Sequence, residues 1–116
     1  MRAPRMTVPL VLEAPKSESD GMGGFETVWS PIGEHWAELV AGSSRERAAG
    51  IGNENRVSWQ IRVRAAAVSD PRRPLPGQRF RMGSGYALRT FLIASVAEDG
   101  PEGRYLTCRA TEEVRR

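Results

Sequence analysis

The groups that could carry catalysis in this chain are few: His35, Cys108 and the adjacent carboxylate pairs Glu98-Asp99 and Glu112-Glu113. Nucleophilic catalysis needs a histidine base against a serine or cysteine, oriented by a third group. His35 is the single histidine and adjoins Trp36 at the head of an apolar-rich segment, where a packing role is expected. A protein-bound zinc ion takes several Cys or His ligands, and the chain has one of each. The two carboxylate pairs fall in a loop-like and a tail-like segment, the usual place of solvated acids rather than of a general acid and base. Gly50-Ile51-Gly52 and Gly83-Ser84-Gly85 lack the lysine and the strand-to-helix context of a phosphate loop and are expected to be turns. The expectation is a protein without enzymatic activity, metal or cofactor. What remains is charge. Lys16 is the only lysine among 17 basic residues, and arginine's planar fork suits carboxylate-rich interfaces and phosphate.

Strands must position those arginines. From Arg56 to Ala65 apolar and polar residues alternate without a slip, the period of a half-buried β-strand. Val57, Trp59, Ile61, Val63 and Ala65 are expected on one face, with Ser58, Gln60, Arg62 and Arg64 on the other. Residues 6–13 form a first expected strand. Residues 14–24 are too rich in Pro, Ser, Asp and Gly to continue it. Residues 25–29 form a second strand, Ser30-Pro31-Ile32-Gly33 a turn, and residues 35–41 a third strand. A long connection spans residues 42–55, with a turn or two of helix at residues 44–49. The alternating segment is fourth. Residues 70–77 make a proline-stiffened connector that includes Arg72 and Arg73. Short strands follow at 78–82, 86–97 and 104–111, separated by turns at 83–85 and 98–103. Trp29, Trp36 and Trp59 fall in three strands, at positions expected to face inward. Several short strands with turn signals between them indicate an all-β fold, a small single-domain β-barrel with a long loop between its third and fourth strands.

At 116 residues the chain is the size of one domain, residues 1–116. The lone Cys108 cannot form an intrachain disulfide. The apolar run after Met6 is short and broken by Pro9, so it fails as a signal-peptide core, and no run approaches the ~20 apolar residues of a membrane-spanning helix. A non-secreted protein without a membrane segment is expected. The formal charge is +3, with 14 acidic residues interspersed among the basic ones. That pattern lacks the dense basic stripe of a dedicated nucleic-acid binder. Uninterrupted loops as long as 42–55 are usually functional or disordered. Arg45, Glu46, Arg47, Asn53 and Asn55 on it are therefore expected to order against neighbouring subunits or a central ligand, the alternative being a solvated excursion. Arg62, Arg64, Arg72 and Arg73 are further interface candidates.

The order Asp20-Gly21-Met22-Gly23-Gly24-Phe25, Trp29, His35-Trp36-Ala37-Glu38-Leu39, the long loop, Ile61-Arg62-Val63-Arg64, Gly85-Tyr86 and Leu92-Ile93-Ala94-Ser95-Val96 resembles the head-tail joining proteins of tailed bacteriophages. These are also called head-tail adaptors, head closure proteins or stoppers. The arginine-rich, lysine-poor form looks most like those of gene transfer agents of α-proteobacteria. The resemblance runs over roughly residues 6–111 and implies a small β-barrel subunit of a homo-oligomeric ring, a hexamer or dodecamer. Such a ring would lie between portal or adaptor proteins above and tail terminator or tail tube proteins below. It would surround double-stranded DNA without sequence preference and close its channel. The implied location is the head-tail interface of a virion assembled in the bacterial cytoplasm. The alternative function is that of a small nucleic-acid-binding β-barrel module.

Overall fold

The computed structural model describes residues 4–42 and 56–113. Six strands account for most of them: β1 (Val8–Ser19), β2 (Phe25–Ala41), β3 (Arg56–Arg64), β4 (Arg79–Met82), β5 (Arg89–Asp99) and β6 (Tyr105–Glu113). Short 3-10 turns at Gly85–Ala87 and Pro101–Gly103 precede β5 and β6. All pairings are antiparallel. Their order, β1-β2-β3-β6-β5-β4, returns from β4 to β1 and forms a closed barrel.

The alternation of residues 56–64 sets the inward face as its period requires. Ile61 and Val63 are fully buried, opposite Cys108 and Leu106 of β6. With Leu10, Leu12, Ala37, Phe80, Phe91, Ile93 and Ala110 they form the core, and Trp59 packs against its edge. Ala65 lies beyond the end of β3 and is exposed.

Three expectations about elements are corrected. The segment 14–24 does not end the first strand: β1 runs on to Ser19, and only residues 20–24 turn. Asp20 Oδ1 makes that turn by accepting hydrogen bonds from the backbone N–H of Met22 and Gly24 (2.7 and 3.0 Å). Ser30-Pro31-Ile32-Gly33 is not a turn either. The second and third expected strands are one strand, β2, and the pairing with β1 shifts register there, with Leu12 opposite Gly33 and Glu13 opposite Pro31. One extra β2 residue at that bulge absorbs the irregularity without ending the ladder. As a result the long connection follows the second strand rather than the third. Finally, Tyr86 and Leu88 lie in and beside a 3-10 turn ahead of β5, and both are exposed.

β1 pairs with β4 only through residues Val11 to Glu13, and β2 pairs with β3 only from Ala37 onward. Beyond those points the two strands continue as a hairpin that, among the described residues, pairs only with itself, with Pro15 opposite Trp29 and Ser19 opposite Phe25. The hairpin runs six residues past Glu13, about 20 Å at the usual strand rise. The longest principal extent of the molecule is 52 Å.

Candidate interaction surface

The sequence-derived interface residues separate. Arg45, Glu46, Arg47, Asn53 and Asn55 lie outside the described residues, as does the expected helical turn at 44–49. Arg62 and Arg64 share the outward face of β3, but they do different things. The Arg62 guanidinium lies between two acids: NH1 is 3.4 Å from Glu38 Oε1, and Nε is 3.0 Å from Asp99 Oδ2. The Nε hydrogen is not aimed at an acceptor, so the Asp99 contact is ionic rather than a well-aligned hydrogen bond. The Thr107 hydroxyl donates to the same Asp99 oxygen at 2.6 Å, and the backbone N–H of Arg5 donates to Glu38 Oε2 at 2.9 Å. Arg62 is thus a structural clamp across the outer sheet. Arg64 is exposed at the end of β3, beside Arg104, whose carbonyl accepts from the Ala65 N–H at 2.9 Å.

Arg72 and Arg73 hold the connector against the barrel. The Arg72 carbonyl accepts from His35 Nε2 at 2.7 Å, and its side chain bonds to Asp70. Gly33 is needed under this strap, since a Cβ there would come within 2.8 Å of Arg72 Cγ. Arg73 NH1 donates to the Ala66 carbonyl at 2.9 Å. His35 packs edge-on against Phe80, and burial holds its pKa below the usual histidine value. The imidazole serves to anchor the connector. Burial also pushes the Cys108 thiol up to about 12, which leaves it unreactive.

Two further acid clusters were not expected from the sequence. Glu13 is buried on the outer face by Arg79 and Arg81, whose Nε atoms lie 2.7 and 3.1 Å from its two oxygens. Arg79 also stacks over Trp29 at 4.3 Å. Glu112 continues the inward face Leu106, Cys108, Ala110 and so closes one end of the barrel. It accepts from Arg89 Nε and NH2 at 2.6 and 2.9 Å and from Trp59 Nε1 at 3.0 Å. The Arg89 hydrogen bonds, against the opposing effect of burial, keep the Glu112 carboxyl below its ordinary range. Alternation along β6 was the signal that could have placed Glu112 inward. Of the three tryptophans expected inward, Trp59 shares the inward face of Ile61 and Val63 and packs against the core, while Trp29 is half-buried under Arg79 and Trp36 is 62 % exposed. His35, Ala37 and Leu39 take the inward positions of that stretch, which sends Trp36 outward.

Exposed apolar groups are spread over the fold, among them Trp36 and Val40 on β2, Val68 and Leu75 on the connector and Leu92 on β5. Met22 and Phe25 are 88 % and 76 % exposed at the hairpin tip, while Tyr86 and Leu88 are exposed at the turn before β5. Beside that turn lies a groove of about 610 Å³ lined by Tyr86 and Leu88 together with Arg79, Arg89 and Glu112. The described surface therefore combines paired arginines and carboxylates with scattered exposed apolar side chains.

The family of phage head completion proteins matches residues 1–113. A chain from the solved virion of a native gene transfer agent particle is 46% identical, with a TM-score of 0.75, covering 97% of this chain and 98% of that one. The solution structure of protein SF1141 from Shigella flexneri 2a shares the fold at 17% identity and a TM-score of 0.67, with both chains fully covered. No curated protein matches. The chain belongs to the phage head completion protein family, a family of structural virion components and not of enzymes.

Proposed function

We propose that this protein is a ring subunit at the head-tail junction of a phage-like particle, between the portal or adaptor and the tail, and that the ring closes the channel against the packaged DNA. The observation that carries this reading is the 46% identity, over nearly the whole of both chains, to a component of a gene transfer agent virion. The physical chemistry fits such a role. Self-association into a ring needs two different complementary patches on each subunit and a rotation that closes. Charges interspersed on a chain of net +3 suit contacts with neighbouring proteins and tolerance of DNA without tight binding. Residues 42–55, with Arg45, Glu46 and Arg47, are the proposed channel or subunit contact.

The test is removal of the gene followed by electron cryo-microscopy of the resulting particles. Unjoined heads and tails, with emptied heads, are expected. Joined, DNA-filled particles would overturn the reading. The purified chain should bind DNA weakly near physiological salt. Submicromolar binding, with log K falling about 0.9 per phosphate contact against log salt, would point instead to a nucleic-acid-binding module.

A further inference from the structure

Strand β5 outruns its partner on one side. β4 pairs with Arg89 to Leu92, and Ile93 completes that side by donating to the Gln78 carbonyl and accepting from the Gly77 N–H, both at 2.9 Å. From Ser95 to Asp99, only β6 pairs with it among the described residues. The ladder fixes where the remaining groups point. Ile93 turns its N–H and C=O away from β6, and along an antiparallel pair the bonded and non-bonded positions alternate. Past the bulge, Ser95 and Ala97 therefore bond to Arg109 and Thr107, while Val96 and Glu98 aim their N–H and C=O groups at the open margin. That margin is accessible. Ala94, Ser95, Ala97 and Glu98 are exposed, and Val96 is half-buried against the core. Residues 94–97 are small and uncharged, and no proline interrupts β5.

We propose that this margin is a strand-addition site, filled in the assembled particle by an extended segment, on the order of five residues long, from a different virion protein. This rests on the ring reading given above and names a contact by which the ring would hold a protein next to it. Two N–H and two C=O groups along a straight margin are completed by another extended backbone, which adds main-chain hydrogen bonds with little demand on sequence. A second copy of this chain does not suit the site. β5 laid against a neighbour's β5 is a two-fold contact, which closes a dimer and does not propagate around a ring. The hairpin's own open margins each carry a proline, Pro15 or Pro31, in place of a backbone donor. The side chains restrict the segment further. Ser95 and Ala97 on the outer face admit a strand at the usual ~4.8 Å spacing. Val96 faces the core side, so the residue laid beside it is apolar.

Electron cryo-microscopy of the particles tests the site directly. Extended main-chain density about 4.8 Å from β5 beside Val96 and Glu98, traceable to another virion protein, is expected. Rotational copies of the subunit with that margin empty, or filled by a second copy of this chain, overturn strand addition and leave the ring intact. No rotational copies at the junction overturn both. In a second arm, Glu98→Pro deletes an outward N–H without removing a bond to β6, whereas Glu98→Ala keeps the N–H and loses only the carboxylate. Glu98→Pro should lower the yield of joined particles by about tenfold or more, and Glu98→Ala by less than about twofold. Equal yields overturn the proposal. Wild-type hydrogen exchange covers the case in which the proline variant does not fold. The Val96 and Glu98 amides should exchange at least about tenfold more slowly in the particle than in the free subunit, and unchanged exchange overturns the proposal.

Discussion

Glu112→Ala should be among the most damaging single changes outside the hydrophobic core. The side chain is 10 % exposed and accepts three hydrogen bonds, two from Arg89 and one from the Trp59 indole. Removing one partner of a buried ion pair costs about 3–5 kcal/mol. Arg89 is 39 % exposed, so its freed guanidinium regains water, and the expected loss falls to about 2–3 kcal/mol. For a domain of this size that is a drop of about 10 °C in Tm. Arg89→Ala should cost a similar amount, since it leaves Glu112 with Trp59 alone. The double variant should be scarcely worse than either single, giving a coupling of about 2–3 kcal/mol in a denaturant double-mutant cycle. The pH dependence has a definite sign. The carboxyl titrates lower in the folded state than its ordinary 4.5, so its stabilisation is present above that value and is lost as pH falls through the folded pKa. The gap between wild type and Glu112→Gln should therefore narrow below about pH 4. Additive losses, or a single loss under about 0.5 kcal/mol, would refute the account of Glu112 as the closure of the barrel end.

Arg62→Ala should cost about 1–2 kcal/mol, because it removes the cation that Glu38 and Asp99 share, whereas Arg64→Ala should change stability by less than about 0.5 kcal/mol; urea midpoints distinguish them. His35 titrates lower in the folded chain than in the unfolded one, so the unfolded state binds more protons below about pH 6.5 and stability falls there. His35→Gln should flatten that slope between pH 7 and 5, as read from Tm. Cys108 should resist thiol reagents in the native state at pH 8 and react only after unfolding, so labelling at the rate of a free thiol would contradict its burial.

The alternation of residues 56–64 was readable because both of its faces obey one period and no bulge interrupts it. The same rule failed at Leu12 and Glu13, adjacent residues that are both buried. There the inward face of β1 meets the core while its outward face is covered by Arg79 and Arg81, a burial by tertiary charge pairing that no local pattern records. Pro15, Pro31 and the serines near them read as turn formers, yet a strand with no neighbour on one side tolerates them. The arginines were correctly singled out as the chemistry of the surface, but which of them are occupied depends on acids distant in sequence. Arg62 is matched with Asp99 and Arg89 with Glu112, 37 and 23 positions away. The carboxylates at Asp99 and Glu112 looked like solvated acids because the sequence shows position along the chain and not which arginine folds back over it.

The placement of Pro15 and Pro31 has a consequence for the life of the subunit before assembly. Each barrel strand has a partner on both sides, and the hairpin is one stretch where backbone groups along the outer margins face outward. Proline has no N–H to give a neighbour across a ladder, so Pro15 and Pro31 must occupy the positions that point away from the partner strand, toward the two open margins of the ribbon. Each margin is interrupted there, and a foreign strand cannot zip along it. Strand addition along these margins, a route to fibrils whenever copies are concentrated, is thereby hindered, and the ribbon can stay open without acting as a template.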